Sequence, residues 1–243
     1  MPSTASSLWY VDDPDPVSVL RDHPDPDPEA AFALAKQLNP DRDVVPAASG
    51  TLKVWAGPDP GAVYIGCYPG VTVVCTTQAA LAHPTELPEL LVRPLASEHT
   101  YLIAYDAPRG WGSFAHWERG EFRRAFSATR VNILTDEGLP QVWERPFWAG
   151  EHPVQLRPGE LPDPQILPFD PPTFADAANH EWLGFRYHDA GDDALRPADI
   201  AVCGFSLYPK GEAPPAVRPE EPKTPTHNGR RWFGWLRGRD RVS

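Results

Sequence analysis

The chain has 243 residues, 41% of them apolar and 23% charged, and its 9 Trp, 7 Tyr and 10 Phe can fill a core, which excludes wholesale disorder. Its 31 prolines exclude long helices and long central strands, and its 18 glycines, lacking a G-X-Y period, exclude collagen. A formal net charge of −11 argues against a nucleic-acid surface spread over the whole chain.

Leu8–Val11 reads as a first strand and Val17–Leu20 as a second, with Asp12–Pro16 turning between them. The clearest helix start follows. Asp27 suits the N-cap, Pro28 the first helical position and Glu29 the N-terminal dipole. Ala31, Leu34, Ala35 and Leu38 then recur at helical spacing, and Pro40 ends the run. Val63–Tyr68 and Val71–Cys75 flank Pro69-Gly70 as a hairpin. Thr85 is placed to cap a short helix carrying Leu87, Leu90 and Leu91, stopped before Pro94.

Tyr101–Tyr105 is a further strand, and Ser113–Glu118 with Glu121–Phe126 forms a hairpin around Arg119-Gly120. Alternation puts Phe122, Arg124 and Phe126 on one face of its second arm, and Arg123 and Ala125 on the other. A helix is expected from Phe174, capped by Thr173 with Asp176 three residues on, its apolar positions being Phe174, Ala177, Ala178 and Trp182. Ile200–Tyr208 is the last strand. No internal repeat is visible, so neither a solenoid nor a propeller is expected. The pattern predicts an α+β domain over residues 1–208, with a mixed or mainly antiparallel sheet and a few short helices.

Cys67, Cys75 and Cys203 are an odd number without C-x-x-C spacing and sit in apolar, strand-like stretches, which fits a reduced, cytoplasmic setting. The start, Met1 to Ser7, lacks the charge and apolar run of a secretory signal. No stretch approaches the roughly 18–20 apolar residues of a membrane-spanning helix.

Four catalytic patterns fail on inspection. Gly110-Trp111-Gly112-Ser113-Phe114-Ala115 fits a loose G-x-G-x-x-A, but the residues after it alternate like a strand instead of opening a helix. His180-Glu181 begins like a zincin, yet Gly184 stands where the second histidine belongs. Asp25, Asp27 and Glu29 alternate like calcium ligands without the sixth-position glycine or twelfth-position glutamate. Gly66-Cys67-Tyr68-Pro69-Gly70 puts tyrosine at the centre of a would-be nucleophile elbow. No cofactor or metal is expected.

One segment holds candidate chemistry: Pro146-Phe147-Trp148-Ala149-Gly150-Glu151-His152-Pro153. Glu151 and His152 supply a carboxylate and a group titrating near neutrality, and Trp148 a wall for a pocket. Read enzymatically, they serve a hydrolase-like site completed by a third polar group such as Asp170 or Arg109. Read structurally, Phe147 and Trp148 plug the core while Glu151 and His152 finish a turn. The structural reading is favoured, because sequence neighbours point apart in a strand.

The same Phe147–Pro153 run, followed by Leu167-Pro168-Phe169-Asp170-Pro171, Leu183-Gly184-Phe185 and Cys203-Gly204-Phe205, resembles an uncharacterised bacterial family, domain of unknown function 6928. The hairpin at Trp117-Glu118-Arg119-Gly120 is also similar, and the resemblance spans roughly residues 7–208. It implies a common fold and no established activity. It also implies histidines in the second and last of those motifs, where this chain has Asp170 and Cys203. An intact three-histidine metal site is therefore not implied here, although Asp and Cys also bind zinc.

From Pro209 to residue 229 the composition becomes a proline-rich polar linker. The tail, residues 230–243, then gathers Arg230, Arg231, Trp232, Trp235 and Arg237. Its five arginines against one aspartate leave it at +4, so residues 1–229 carry −15. Such a tail suits an anionic membrane surface, with tryptophans at the interface and arginines on headgroups, or an acidic protein partner. The chain thus reads as a non-enzymatic interaction module, cytoplasmic or peripheral at the membrane, with small-molecule catalysis at Glu151 and His152 as the alternative.

Overall fold

The computed structural model describes residues 3–57, 59–155, 159, 163–187 and 195–214. The chain divides into two units, Met1–Ala213 and Pro214–Ser243, and the fold below is that of the first. The tail, with Arg230, Arg231, Trp232, Trp235 and Arg237, lies outside the described residues, as does most of the proline-rich linker.

The elements run β1 (Thr4–Val11), α1 (Pro16–Asp22), α2 (Pro28–Leu38), β2 (Arg42–Thr51), α3 (Leu52–Trp55), β3 (Ala62–Tyr68), β4 (Val71–Cys75) and α4 (Glu89–Val92). There follow β5 (His99–Asp106), β6 (Trp111–Glu118), β7 (Glu121–Ala128), β8 (Ile133–Gly138), α5 (Arg145–Trp148), α6 (Pro171–Leu183) and β9 (Ala201–Pro209). Among the described residues these strands form one sheet in the order β2-β9-β3-β4-β1-β5-β6-β7-β8, every neighbouring pair antiparallel. The α+β class with a mainly antiparallel sheet is thus present.

Helices cover both faces of the sheet. β1 sits at its centre, and Ala5 to Val11 are all buried. Leu8 and Tyr10 point to one face, where Ala31, Leu34, Ala35 and Leu38 of α2 and Leu91 of α4 pack. Trp9 and Val11 point to the other, against Leu20 of α1 and Leu183 of α6. Farther along that second face Phe114 and Phe126 meet Phe147 of α5 and Phe174, Ala177 and Ala178 of α6. Each fully buried Leu or Phe contributes about 1.5–3 kcal/mol relative to an exposed one, so this stripe suffices to seat α6.

Several local expectations hold. Asp27 caps α2 through hydrogen bonds from Glu29 N at 2.9 Å and Ala30 N at 3.0 Å, and the apolar stripe of α2 is buried. The β3–β4 and β6–β7 hairpins turn at Pro69-Gly70 and Arg119-Gly120. Gly110-Trp111-Gly112 leads into β6 and not into a helix.

Four expectations need correction. Val17–Leu20 is not a strand but part of α1: the Asp15 carboxylate accepts from Ser18 N at 3.1 Å and Ser18 Oγ at 2.7 Å, and Pro16 presets the first turn. Cap chemistry overrides the β-preference of the two valines. Thr85 lies in a 3-10 turn, Pro84–Glu86, and the short helix begins after Pro88. α6 starts three residues earlier than Phe174, with Asp170 as N-cap and Pro171 and Pro172 in its first turn, while Thr173 donates Oγ1 to Asp170 Oδ2 at 3.0 Å. Finally, a bulge in β7 shifts the register between His116–Arg124 and Trp117–Phe122. Arg124 and Phe126 keep the α6 face, whereas Phe122 lies edge-on to Trp117 on the opposite one.

α6 reaches the sheet so closely because β6 carries glycine at its crossing. A Cβ on Gly112 would overlap the backbone carbonyl of Pro171.

Candidate functional site

Glu151 and His152 follow α5, whose tight turn closes with Gly150 in the left-handed region (φ 77°) and Glu151 N donating to Pro146 O at 2.9 Å. The His152 ring stacks on Phe147, centroids 4.2 Å apart, and Phe147 is anchored among Phe169 and Phe174. Glu151 and His152 are exposed and line a surface cleft of about 290 Å³ with Arg130, Pro153, Gln155, Asp170 and Thr173. Asp170, the α6 cap, also accepts from Arg130 Nε at 3.4 Å. Of the two residues expected as a third polar group, Asp170 lines this cleft. Arg109 lines a different cleft, with Tyr105 and Trp111, and pairs with Asp106. Glu151 and His152 share the cleft but do not hydrogen-bond each other, so they form part of its polar wall and not an assembled dyad.

Trp148 does not line this cleft. Half-buried, it sits edge-on to Phe126 and Phe169 and donates Nε1 to Glu144 Oε2 at 3.4 Å. That carboxylate belongs to a buried network the sequence did not reveal. Arg124 and Glu144 are both fully buried and joined twice, Nε to Oε1 at 2.9 Å and Nη2 to Oε2 at 2.8 Å. Arg124 Nη1 donates to Asp136 Oδ1 at 2.6 Å and to the carbonyls of Ala125 and Glu137. Gln141 N donates to Glu144 Oε1 at 2.9 Å, so every strong donor here has an acceptor. The network pins the β7–β8 edge to α5 and so holds the segment that carries Glu151 and His152.

A second polar constellation lies where α6 ends on β5 and β6. His99 and Tyr101 of β5 face Glu118 and His116 of β6 across the ladder. His99 Nδ1 stands 3.2 Å from His116 Nε2, and Tyr101 is stacked between His99 and Trp182. Burial, then the neighbouring His99, pushes the His116 imidazole down to about 4. Burial pushes the Tyr101 phenol up. The register brings these histidines together from positions 17 residues apart, and no spacing rule along the chain signals it.

Asp170 and His152 thus share a cleft, while Cys203 lies in β9 among side chains on the α2 face. Burial pushes the Cys67 thiol up to about 11 and that of Cys75 to about 12, the opposite of what a nucleophile needs. Among the described residues no group of three or more His, Cys, Asp or Glu side chains is arranged to hold a metal ion.

A family described as of unknown function, DUF6928, matches residues 5–205, which covers the sheet and both helical layers. The chain belongs to the DUF6928 family. No curated protein and no solved structure matches it. Membership in DUF6928 extends over the cleft, the Arg124–Glu144 network and the His99–His116 pair, and brings no assigned activity to any of them.

Proposed function

We propose that this DUF6928 chain is a non-enzymatic binding module: a folded acidic body, residues 1–208, a linker, 209–229, and a tail, 230–243, that docks to an anionic membrane surface from the cytoplasm. The supporting observation is the division of charge, −15 over residues 1–229 against +4 in a tail that also carries Trp232 and Trp235. No helix among the described residues is long and apolar enough to cross a membrane, so attachment in this reading is peripheral.

The test is co-sedimentation of the full chain with vesicles containing about 30% phosphatidylserine, beside neutral vesicles and an immobilised acidic polypeptide. At about 1 kcal/mol per basic residue near an anionic surface, replacing Arg230, Arg231 and Arg237 by alanine weakens vesicle binding on the order of a hundredfold. Equal binding by the triple variant, or retention on the acidic polypeptide alone, refutes membrane docking.

A second reading, small-molecule chemistry at Glu151 and His152, is favoured by one observation: both side chains line the same cleft as Asp170, Arg130 and Thr173. It predicts that polar fragments shift the His152 imidazole resonances and that Glu151→Gln abolishes the shift. A silent His152 across a diverse fragment set removes this reading.

A further inference from the structure

We propose that the cleft between the C-terminal end of α2, the start of β2 and the end of β9 binds a phosphate monoester, held by Lys36, Arg42 and Lys210. These three side chains line a surface cleft of about 380 Å³ with a single carboxylate, that of Asp43. The site lies wholly within the first unit, Met1–Ala213, and does not rest on the docking of the tail. Three cations against one carboxylate leave the lining at +2. Charges are screened over about 8 Å at physiological ionic strength, so these cations set the local potential although residues 1–229 carry −15.

Regular structure holds the three together. Asn39 closes α2: its N donates to Lys36 O at 3.3 Å, its Nδ2 to Ala35 O at 2.9 Å, and its own carbonyl accepts from Arg42 N at 3.1 Å. With those carbonyls occupied, the helix end presents less negative partial charge to an anion. Arg42 stands opposite Pro209 in the β2–β9 ladder, and Lys210 follows Pro209 into a turn closed by Glu212 N donating to Pro209 O at 3.0 Å. The Lys36 ammonium sits 3.9 Å above the Phe32 ring, which is half-buried and stacked on Phe205. A cation over a ring keeps N–H groups for a ligand on its other side.

The cations are available to a ligand. Arginines elsewhere in the body, such as Arg119, Arg124 and Arg196, are ion-paired, whereas Arg42 and Lys36 form no ion pair among the described residues. Lys210 lies 3.7 Å from Asp43, an exposed contact that contributes little, and Asp43 Oδ2 already accepts from Gly211 N at 2.6 Å. A phosphate monoester matches this lining: it carries close to two negative charges at neutral pH and three acceptor oxygens. The Arg42 fork suits two of those oxygens, and the lysines act as point charges beside it. A carboxylate or a phosphodiester brings one charge and leaves a cation unmatched. Val44, Val45 and Ala213, half-buried, give the organic part of the ester an apolar wall. A soluble ester and the headgroup of phosphatidic acid both present this terminal phosphate.

The experiment uses the full chain with Arg230, Arg231 and Arg237 replaced by alanine, so that the tail does not supply the binding. One arm titrates it with glycerol 3-phosphate by calorimetry; the other sediments it with phosphatidylcholine vesicles with and without phosphatidic acid. A soluble source gives one glycerol 3-phosphate per chain with Kd below about 1 mM. A lipid source gives sedimentation only with the phosphatidic acid vesicles. In whichever arm binds, Arg42→Ala and Lys210→Ala each weaken binding at least tenfold, Lys36→Ala weakens it several-fold, and Asp43→Asn strengthens it several-fold. Lys53→Ala, which removes the same charge outside the cleft, leaves it unchanged. The three cationic side chains are exposed, so their variants keep the melting temperature of the parent. Binding in neither arm, binding indifferent to Arg42→Ala, or equal weakening by Lys53→Ala overturns the proposal. Docking of the tail is read separately, from the vesicle binding that the unmodified tail adds, so the two proposals fail independently.

Discussion

Replacing Glu144 by alanine removes the fully buried carboxylate that pairs with Arg124. Two of the three hydrogen bonds that the guanidinium donates to carboxylates go to Glu144, and the third goes to Asp136, whose side chain is 41% exposed. The guanidinium itself stays fully buried in Glu144→Ala, and Gln141 N and Trp148 Nε1 lose their acceptor as well. Orphaning one member of a buried pair costs about 3–5 kcal/mol. Charge-assisted hydrogen bonds at about 1.5–3 kcal/mol each give about 3–6 kcal/mol for the two that are lost, an overlapping range. With an m-value of about 2–3 kcal/mol per M, the urea midpoint falls by about 1–2 M at unchanged slope. Asp136→Ala, which removes a solvated partner, costs only about 1 kcal/mol. The double replacement Arg124→Met with Glu144→Leu is less destabilising than Glu144→Ala alone, since it leaves no buried charge unpaired. The reasoning fails if Glu144→Ala shifts the midpoint by less than the equivalent of about 1 kcal/mol, or if the double variant is the least stable of the set.

Two other perturbations follow from close packing and burial. Gly112→Ala forces α6 away from β6 at the Pro171 carbonyl, an overpacking cost of about 1–3 kcal/mol, visible in thermal unfolding and as faster amide exchange in α6; an unchanged melting temperature refutes the close approach. The thiols of Cys67 and Cys75, raised to about 11 and 12, stay protonated in the folded chain where the unfolded chain, with thiol pKa near 8.5, releases its protons. The unfolded state then binds fewer protons, so stability falls as pH rises above about 8.5, and a Cys67→Ala/Cys75→Ala variant has a flatter alkaline limb. In the native protein at pH 8 neither thiol should react with a disulfide reagent on the timescale at which the half-exposed Cys203 does.

What could be read along the chain was local. Asp27-Pro28-Glu29 fixes the start of α2, because an N-cap, a preset φ and a first-turn acid act within four residues. Pro69-Gly70 and Arg119-Gly120 fix their hairpins, because a turn constrains only its neighbours. The same local logic misread Val17–Leu20, where β-branched residues pulled one way and Asp15-Pro16 the other; the cap won once Leu20 had a core to enter. It also missed the β7 bulge, since one extra residue leaves no mark in composition, and so assigned Phe122 to the wrong face.

The candidate sites divide in the same way. Glu151 and His152 were visible as a segment, because they adjoin one another in sequence and sit beside aromatic residues. Their meeting with Asp170 and Arg130 required α6 to dock through Gly112, and the Arg124–Glu144 pair required β7 to lie against the turn that leads into α5. The insertion of β9 between β2 and β3, and the approach of His99 to His116, depend on strand register across the whole sheet. Register is set by burying both faces at once, a condition no short stretch of residues contains. Composition, charge division, caps and turns were thus determined by the sequence alone, whereas strand order and the pairing of buried charges and imidazoles were decided only when the sheet assembled.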